Sequence, residues 1–111
     1  MRRRSLVLAG TVLGALLGSS ALTRARADDA KVSIDNFTFT PALVTIVSGT
    51  KVTWTNGDDI PHTVTDAAVP KMFRSPALDT GDSFSFIFAT PGTYHYFCAL
   101  HPHMQGTIVV Q

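Results

Sequence analysis

The single cysteine of this 111-residue chain lies in a segment rich in other metal-binding side chains, YFCALHPHMQG. Cys98, His101 and Met104 follow one another there at the spacing C-x2-H-x2-M. Thiolate, imidazole and thioether donors together favour copper among the biological metals. The spacing therefore predicts a short ligand-bearing loop, and Pro102 should help that loop curl around one point.

A fourth donor is expected from the segment DDIPHTVT, in which His62 follows a turn and opens a predicted strand. Two imidazoles, one thiolate and a weak axial thioether form the arrangement of a blue copper site. Zinc sites usually combine Cys and His without a thioether. His103 is an alternative to His101, with the spacing C-x4-H. Because adjacent side chains of an extended segment point to opposite faces, His103 and Met104 should not both reach one ion.

The first 27 residues carry the features of a secretory signal peptide. Arg2, Arg3 and Arg4 precede an apolar run, and Ala25 and Ala27 form a small-x-small cleavage pattern. The alternative is an uncleaved membrane anchor, for which the run is close to the minimum length. The segment RRRSLVL also loosely resembles a twin-arginine export signal. We expect cleavage after Ala27, a periplasmic location, and one mature domain over residues 28–111 without a membrane span.

Cleavage would change the charge of the protein. Five of the nine basic residues precede residue 28, so four remain against eight aspartates, a net charge of −4. Four scattered cations on an acidic chain exclude nucleic acid as an expected partner.

A free thiol in an oxidising compartment is a liability unless it is buried or bound, which again draws attention to Cys98.

Strand patterns dominate the mature chain. Apolar residues alternate with polar ones in KVSI, VTI, KVTW, SFSFIF, TYHYFC and GTIVV, and turn pairs such as Asn56-Gly57 and Pro91-Gly92 separate these runs. Alternation of this kind is typical of half-buried strands. Six or seven such runs predict an all-β protein, an antiparallel Greek-key β-sandwich or barrel.

The segments YHYFCALHPHMQGTIVV, PHTV and KVTWTN together resemble the cupredoxins, the small blue copper proteins, and the loop length is most similar to that of the amicyanins. The resemblance spans essentially the whole mature chain. It implies an eight-stranded Greek-key sandwich that carries one type 1 copper ion and transfers single electrons. It also implies His62, Cys98 and His101 as equatorial ligands, Met104 as the axial ligand, and Tyr94 as the tyrosine corner.

Two positions depart from the family pattern. Thr63 stands where many members have Asn, so the hydrogen bonding behind the site should differ. His103 stands where amicyanins have an apolar aromatic residue, so the partner should differ as well.

The main hypothesis is an electron carrier, a monomer whose redox partner docks near His101 on an apolar rim that includes Pro61, Pro102 and the Ala99-Leu100 pair. The alternative is a periplasmic copper carrier, for which Met72 and His103 would offer additional donors. An enzyme is not expected, because four protein ligands leave no open position for a substrate.

Overall fold

The computed structural model describes residues 29–111, which form eight strands and no helix. The strands are β1 (Ala30–Asp35), β2 (Thr38–Thr40), β3 (Leu43–Ile46), β4 (Thr50–Asn56), β5 (Thr65–Asp66), β6 (Ser83–Phe88), β7 (Gly92–Phe97) and β8 (Gln105–Val110). This confirms the all-β prediction. The predicted signal peptide, residues 1–27, lies outside the described residues. Over residues 29–111, no helix is long and apolar enough to cross a membrane.

The strands form two four-stranded sheets with the orders β2-β1-β4-β6 and β3-β8-β7-β5. The predicted sandwich is present, but two pairings, β1 with β4 and β3 with β8, are parallel and not antiparallel as expected. Between β1 and β4 the chain passes through β3 in the other sheet, which returns it to the end where β1 begins. Alternation of apolar residues reports which face of a strand is buried and carries no information on its direction.

The space between the sheets is filled mainly by aromatic and β-branched side chains. Trp54 and Phe88 are fully buried, as expected from the sequence, and Tyr96 packs against Trp54 with ring centres 5.4 Å apart. Gly106 on β8 lies directly under the Tyr96 ring, and a Cβ at this position would overlap that ring. The close approach of the two strands therefore requires glycine.

Strand register brings the predicted ligand loops to one end of the sandwich. β1 and β4 run in parallel and end together, and Phe97 at the end of β7 faces Gln105 at the start of β8. The same Phe97 faces Thr65 at the start of β5. The loops 36–37, 57–64 and 98–104 therefore meet at this end. At the other end of β7, the Tyr94 hydroxyl donates a 2.6 Å hydrogen bond to the Thr90 carbonyl, which is the contact expected of a tyrosine corner.

Candidate metal centre

The loop that follows β7 is curled by three backbone hydrogen bonds. The Cys98 N–H donates to the Met104 carbonyl at 3.1 Å, the His101 N–H to the Cys98 carbonyl at 3.2 Å, and the Met104 N–H to the His101 carbonyl at 2.9 Å. These bonds turn C-x2-H-x2-M back on itself, as the sequence predicted. Cys98 is fully buried and Met104 is 2% exposed, whereas His101 is half-buried.

His62 reaches the site from the loop 57–64, which joins β4 in one sheet to β5 in the other. It lies three residues before β5 and forms an isolated bridge with Leu78, in which each backbone N–H donates to the carbonyl of the other residue, at 3.2 and 2.7 Å. This bridge holds the His62 backbone although no regular strand includes it. The imidazole is fully buried.

Three of the predicted ligands, His62, Cys98 and His101, bring their donor atoms within 4.8 Å of one another. The Cys98 Sγ atom is 3.7 Å from Nδ1 of His62 and 3.7 Å from Nδ1 of His101. Metal bonds of about 2.0 Å to imidazole and about 2.3 Å to thiolate, at trigonal angles, require a sulfur–nitrogen separation of about 3.7 Å. The donor set therefore fits a small metal ion with trigonal coordination.

His103 lies outside this cluster. It is exposed, and its ring centre is 6.5 Å from that of His101. The backbone bonds of the loop direct His101 and not His103 towards Cys98, which agrees with the predicted orientation.

Thr63 contacts Cys98 and the residue after it through both its backbone and its side chain. Its backbone N–H points to Cys98 Sγ at 3.3 Å, and its hydroxyl accepts the Ala99 N–H at 2.7 Å. The hydroxyl also lies 2.9 Å from that of Thr65. Thr63 therefore links the loop of His62 to the loop of Cys98. A backbone N–H directed at sulfur stabilises the thiolate, which is the form of cysteine that binds metals.

Asp58 is a second supporting residue, and the sequence analysis did not identify it. One carboxylate oxygen lies 2.8 Å from Nε2 of His62. Because a carboxylate only accepts hydrogen bonds, Nε2 carries the proton and Nδ1 keeps the lone pair that faces Cys98. The carboxylate also accepts the backbone N–H groups of Asn36 at 2.6 Å and Phe37 at 2.9 Å.

These hydrogen bonds explain the acidity of Asp58. The N–H of Phe37, together with those of Asn36 and His62, lowers the pKa of Asp58 to about 2, although partial burial acts in the opposite direction. The carboxylate is therefore charged at neutral and mildly acidic pH. No local sequence signal identifies Asp58, because its partners Asn36 and Phe37 are more than 20 residues away.

The two loops that carry His62 and His101 expose four apolar residues. Pro61, Ala99, Leu100 and Pro102, the residues predicted to form a rim, are all exposed, and half of the Leu100 side chain is open to solvent. Met72 is also 50% exposed, in the loop after β5.

Comparison with known proteins agrees with this fold. The profile of the cupredoxin-like domain matches residues 6–110. Amicyanin-alpha of Methylorubrum extorquens is 37% identical over 94 residues, which cover 82% of this chain and 79% of that protein. Chloroplastic plastocyanin of Tetradesmus obliquus is 36% identical over 110 residues, which cover 87% and 76%. The structure of a purple cupredoxin from Nitrosopumilus maritimus superimposes with a TM-score of 0.70 at 36% identity, covering 75% of this chain and all of that one. The chain belongs to the cupredoxin-like family.

Proposed function

We propose that this protein is an exported one-electron carrier in which His62, Cys98 and His101 would hold one type 1 copper ion, with the Met104 thioether as a fourth, weaker donor. The observation that carries the proposal is the pair of equal 3.7 Å separations between the Cys98 sulfur and the two imidazole nitrogens. Membership of the cupredoxin-like family supports it. Copper bound there supplies one-electron chemistry between its Cu(I) and Cu(II) states.

The protein contributes a site that changes little between the two oxidation states. His62 and Cys98 are fully buried and are held by the hydrogen bonds of Asp58 and Thr63. Rigid support of this kind would keep the ligand atoms in place in both oxidation states of a bound copper ion, so electron transfer should need little rearrangement of these residues. Among the three clustered donors, His101 alone is partly open to solvent. We assign it as the point where electrons enter and leave.

The apolar rim beside His101 suits weak docking of another redox protein. Pro61, Ala99, Leu100 and Pro102 offer a small surface without charge, and small interfaces are typical of short-lived electron-transfer encounters. We propose that the partner docks here and that the carrier is a monomer. The expected absence of nucleic acid binding remains part of the proposal.

The visible spectrum of the copper-loaded protein over residues 28–111 tests the proposed site. We expect an intense band towards the red end of the spectrum, from charge transfer between the Cys98 thiolate and Cu(II). Cys98→Ser is the matched control and should lack the band. A colourless Cu(II) complex of the unaltered protein, or a protein that takes up only zinc, would contradict the proposal.

Copper delivery is the alternative role, and a second measurement separates it from electron transfer. To follow electron exchange, the Cu(I)-loaded protein is mixed with a Cu(II)-loaded variant that is distinguishable by mass. To follow copper exchange, the copper-loaded protein is mixed with the metal-free form of the same variant. A carrier of electrons should exchange electrons far faster than copper. Copper transfer to an acceptor protein at a rate above that of loss to a chelator would support delivery instead.

Enzymatic activity is not proposed, because four protein ligands leave no position for a substrate.

Export is tested by the mass of the mature protein. We propose that residues 1–27 direct export to the periplasm and are then removed, which leaves Asp28 as the first residue. Mass spectrometry of the periplasmic fraction should find a chain that begins at Asp28. A full-length chain retained in the membrane fraction would instead support the membrane-anchor alternative.

A further inference from the structure

Phe37 lies against both imidazoles of the proposed copper site. Its ring centre is 5.4 Å from that of His62, with the planes at 82°, and 5.1 Å from that of His101, with the planes at 88°. The His62 and His101 rings are themselves 4.9 Å apart at 64°. The three rings therefore form a closed triangle in which Phe37 meets each imidazole nearly at a right angle, the geometry that aromatic rings prefer.

The backbone beneath this phenyl ring has an unfavourable conformation for its residue types. Asn36 and Phe37 form the two-residue connection between β1 and β2, and both have positive φ, 53° and 57°. Positive φ at both positions is the requirement of a type I′ turn, for which Asn-Gly is the preferred sequence. Asn tolerates this region, but a bulky residue such as phenylalanine is an outlier there.

Burial alone does not explain why phenylalanine occupies this position. Its side chain remains 42% exposed, so it removes less apolar surface from water than a core aromatic does. Residues that break a local conformational rule without a matching gain in burial are commonly found at functional sites. Here the contacts that the ring does make include both histidines of the donor cluster.

The turn is fastened to the loop of His62 through Asp58. The Asp58 carboxylate accepts the N–H groups of Asn36 and Phe37, and the same carboxylate accepts the Nε2 proton of His62. The position of the phenyl ring and the orientation of the His62 ring are therefore set by one charged group.

We propose that Phe37 is a positioning residue that fixes the orientations of the two histidine rings and so helps the protein to retain its metal ion. This inference rests on the proposed function, because it assumes that both histidines bind copper. The phenyl ring packs against the half-buried His101 ring with centres 5.1 Å apart, and this contact restricts rotation of the imidazole. It reaches His62 at the same time, so the two nitrogen donors are held relative to each other.

The decisive variant is Phe37→Gly, which removes the ring and supplies the residue that the turn prefers. We expect the copper dissociation constant, measured by competition with a Cu(I) chelator, to rise on the order of five- to thirtyfold, as loss of one or two edge-to-face contacts predicts. We also expect the visible band and the electron paramagnetic resonance spectrum to change. The metal-free variant should unfold at a temperature close to that of the metal-free parent. Glycine adopts the positive φ of this turn without strain, and this gain offsets the packing that is lost with the phenyl ring.

Three further variants make the test specific. Phe37→Tyr keeps the ring and should restore the parent dissociation constant and spectra, whereas Phe37→Leu keeps apolar bulk without a ring and should not. Ile87→Ala removes a comparably exposed apolar side chain near the far end of β6, and it should leave copper binding unchanged.

The outcomes distinguish this inference from the proposed function. The inference is overturned if Phe37→Gly binds copper as tightly as the parent protein, if Phe37→Leu behaves like Phe37→Tyr, or if the metal-free variant loses as much stability as the copper-loaded one. In each case the parent protein would still show its blue band, and the proposed function would stand. A parent protein without that band would contradict the function itself.

Discussion

The Asp58 carboxylate accepts the Nε2 proton of His62 at 2.8 Å, and both groups are largely shielded from water, with His62 fully buried and the Asp58 side chain 12% exposed. This contact determines which nitrogen of the imidazole faces Cys98. It also makes the His62 ring more electron-rich, because the carboxylate stabilises partial positive charge on it. The copper affinity and the reduction potential of the proposed site should therefore depend on Asp58, although this residue is not one of the proposed ligands.

Asp58→Asn should weaken Cu(II) binding and raise the reduction potential. Outer hydrogen-bond partners of metal ligands typically contribute about 10- to 100-fold in affinity. If Cu(II) binding falls tenfold while Cu(I) binding is unchanged, the potential rises by about 59 mV. Spectroelectrochemical titration measures this shift. Asp59→Asn removes the exposed neighbouring charge and serves as the control. Equal potentials for the two variants would show that Asp58 acts only as a surface charge.

Substitution of the two neighbouring histidines should have opposite results. His103→Ala should keep the blue band, because this side chain is exposed and lies outside the donor cluster. His101→Ala should abolish or alter the band, and added imidazole should restore it by occupying the vacated position. Absorption spectra of the copper-loaded variants provide the measurement. Loss of the band in His103→Ala alone would mean that the site uses the spacing C-x4-H.

Met104→Gln should retain copper with a lower reduction potential. An amide oxygen is a harder donor than a thioether, and it therefore favours Cu(II) over Cu(I) at the axial position. Protein-film voltammetry measures the change. Met72→Gln replaces a half-exposed methionine in the loop after β5 and is the matched control, with no expected shift. An unchanged potential in Met104→Gln would argue that Met104 is a core residue and not the axial ligand.

Gly106→Ala should destabilise the fold by about 1–3 kcal/mol, the usual cost of overpacking a core. A Cβ at this position would overlap the buried Tyr96 ring, which Trp54 and Phe39 hold in place. Urea unfolding of the metal-free protein measures the loss. Gly57→Ala is the control, because its Cβ would meet only the Ile34 carbonyl at 3.4 Å, an ordinary contact. Equal stability of the two variants would show that Tyr96 moves aside freely.

Alkaline pH should destabilise the protein partly through Tyr96. Burial raises the pKa of Tyr96 to about 12, whereas an unfolded tyrosine titrates near pH 10. Between these values the unfolded chain loses the proton first, so the Tyr96 contribution is fully present below about pH 10 and is lost as pH rises through about 12. The loss is on the order of 2–3 kcal/mol. Tyr96→Phe should show a shallower fall in unfolding free energy from pH 10 to 12. Parallel curves for the two proteins would refute this assignment.

Local patterns in the sequence were sufficient to predict six of the eight strands and the ligand loop, but not the short strands β2 and β5. Alternation along SFSFIF and TYHYFC reports directly which side chains are buried, because successive residues of a strand face opposite sides. If Cys98, His101 and Met104 bind one ion, the spacing C-x2-H-x2-M requires a tight loop, because three extended residues would span roughly 10 Å. Cys98, His101 and Met104 were therefore predictable without knowledge of the rest of the fold.

The tertiary structure alone decided the relationships that depend on distant segments. Asp58 meets Asn36 and Phe37 across more than 20 residues, and Phe37 reaches both histidines, only because β1 and β4 lie side by side in parallel and end together. Strand direction and neighbour order arise from how the whole chain closes its core, and side-chain alternation is the same for parallel and antiparallel neighbours. The sequence thus determined which residues can bind the metal, whereas the packing of the two sheets decided which residues hold those ligands in place.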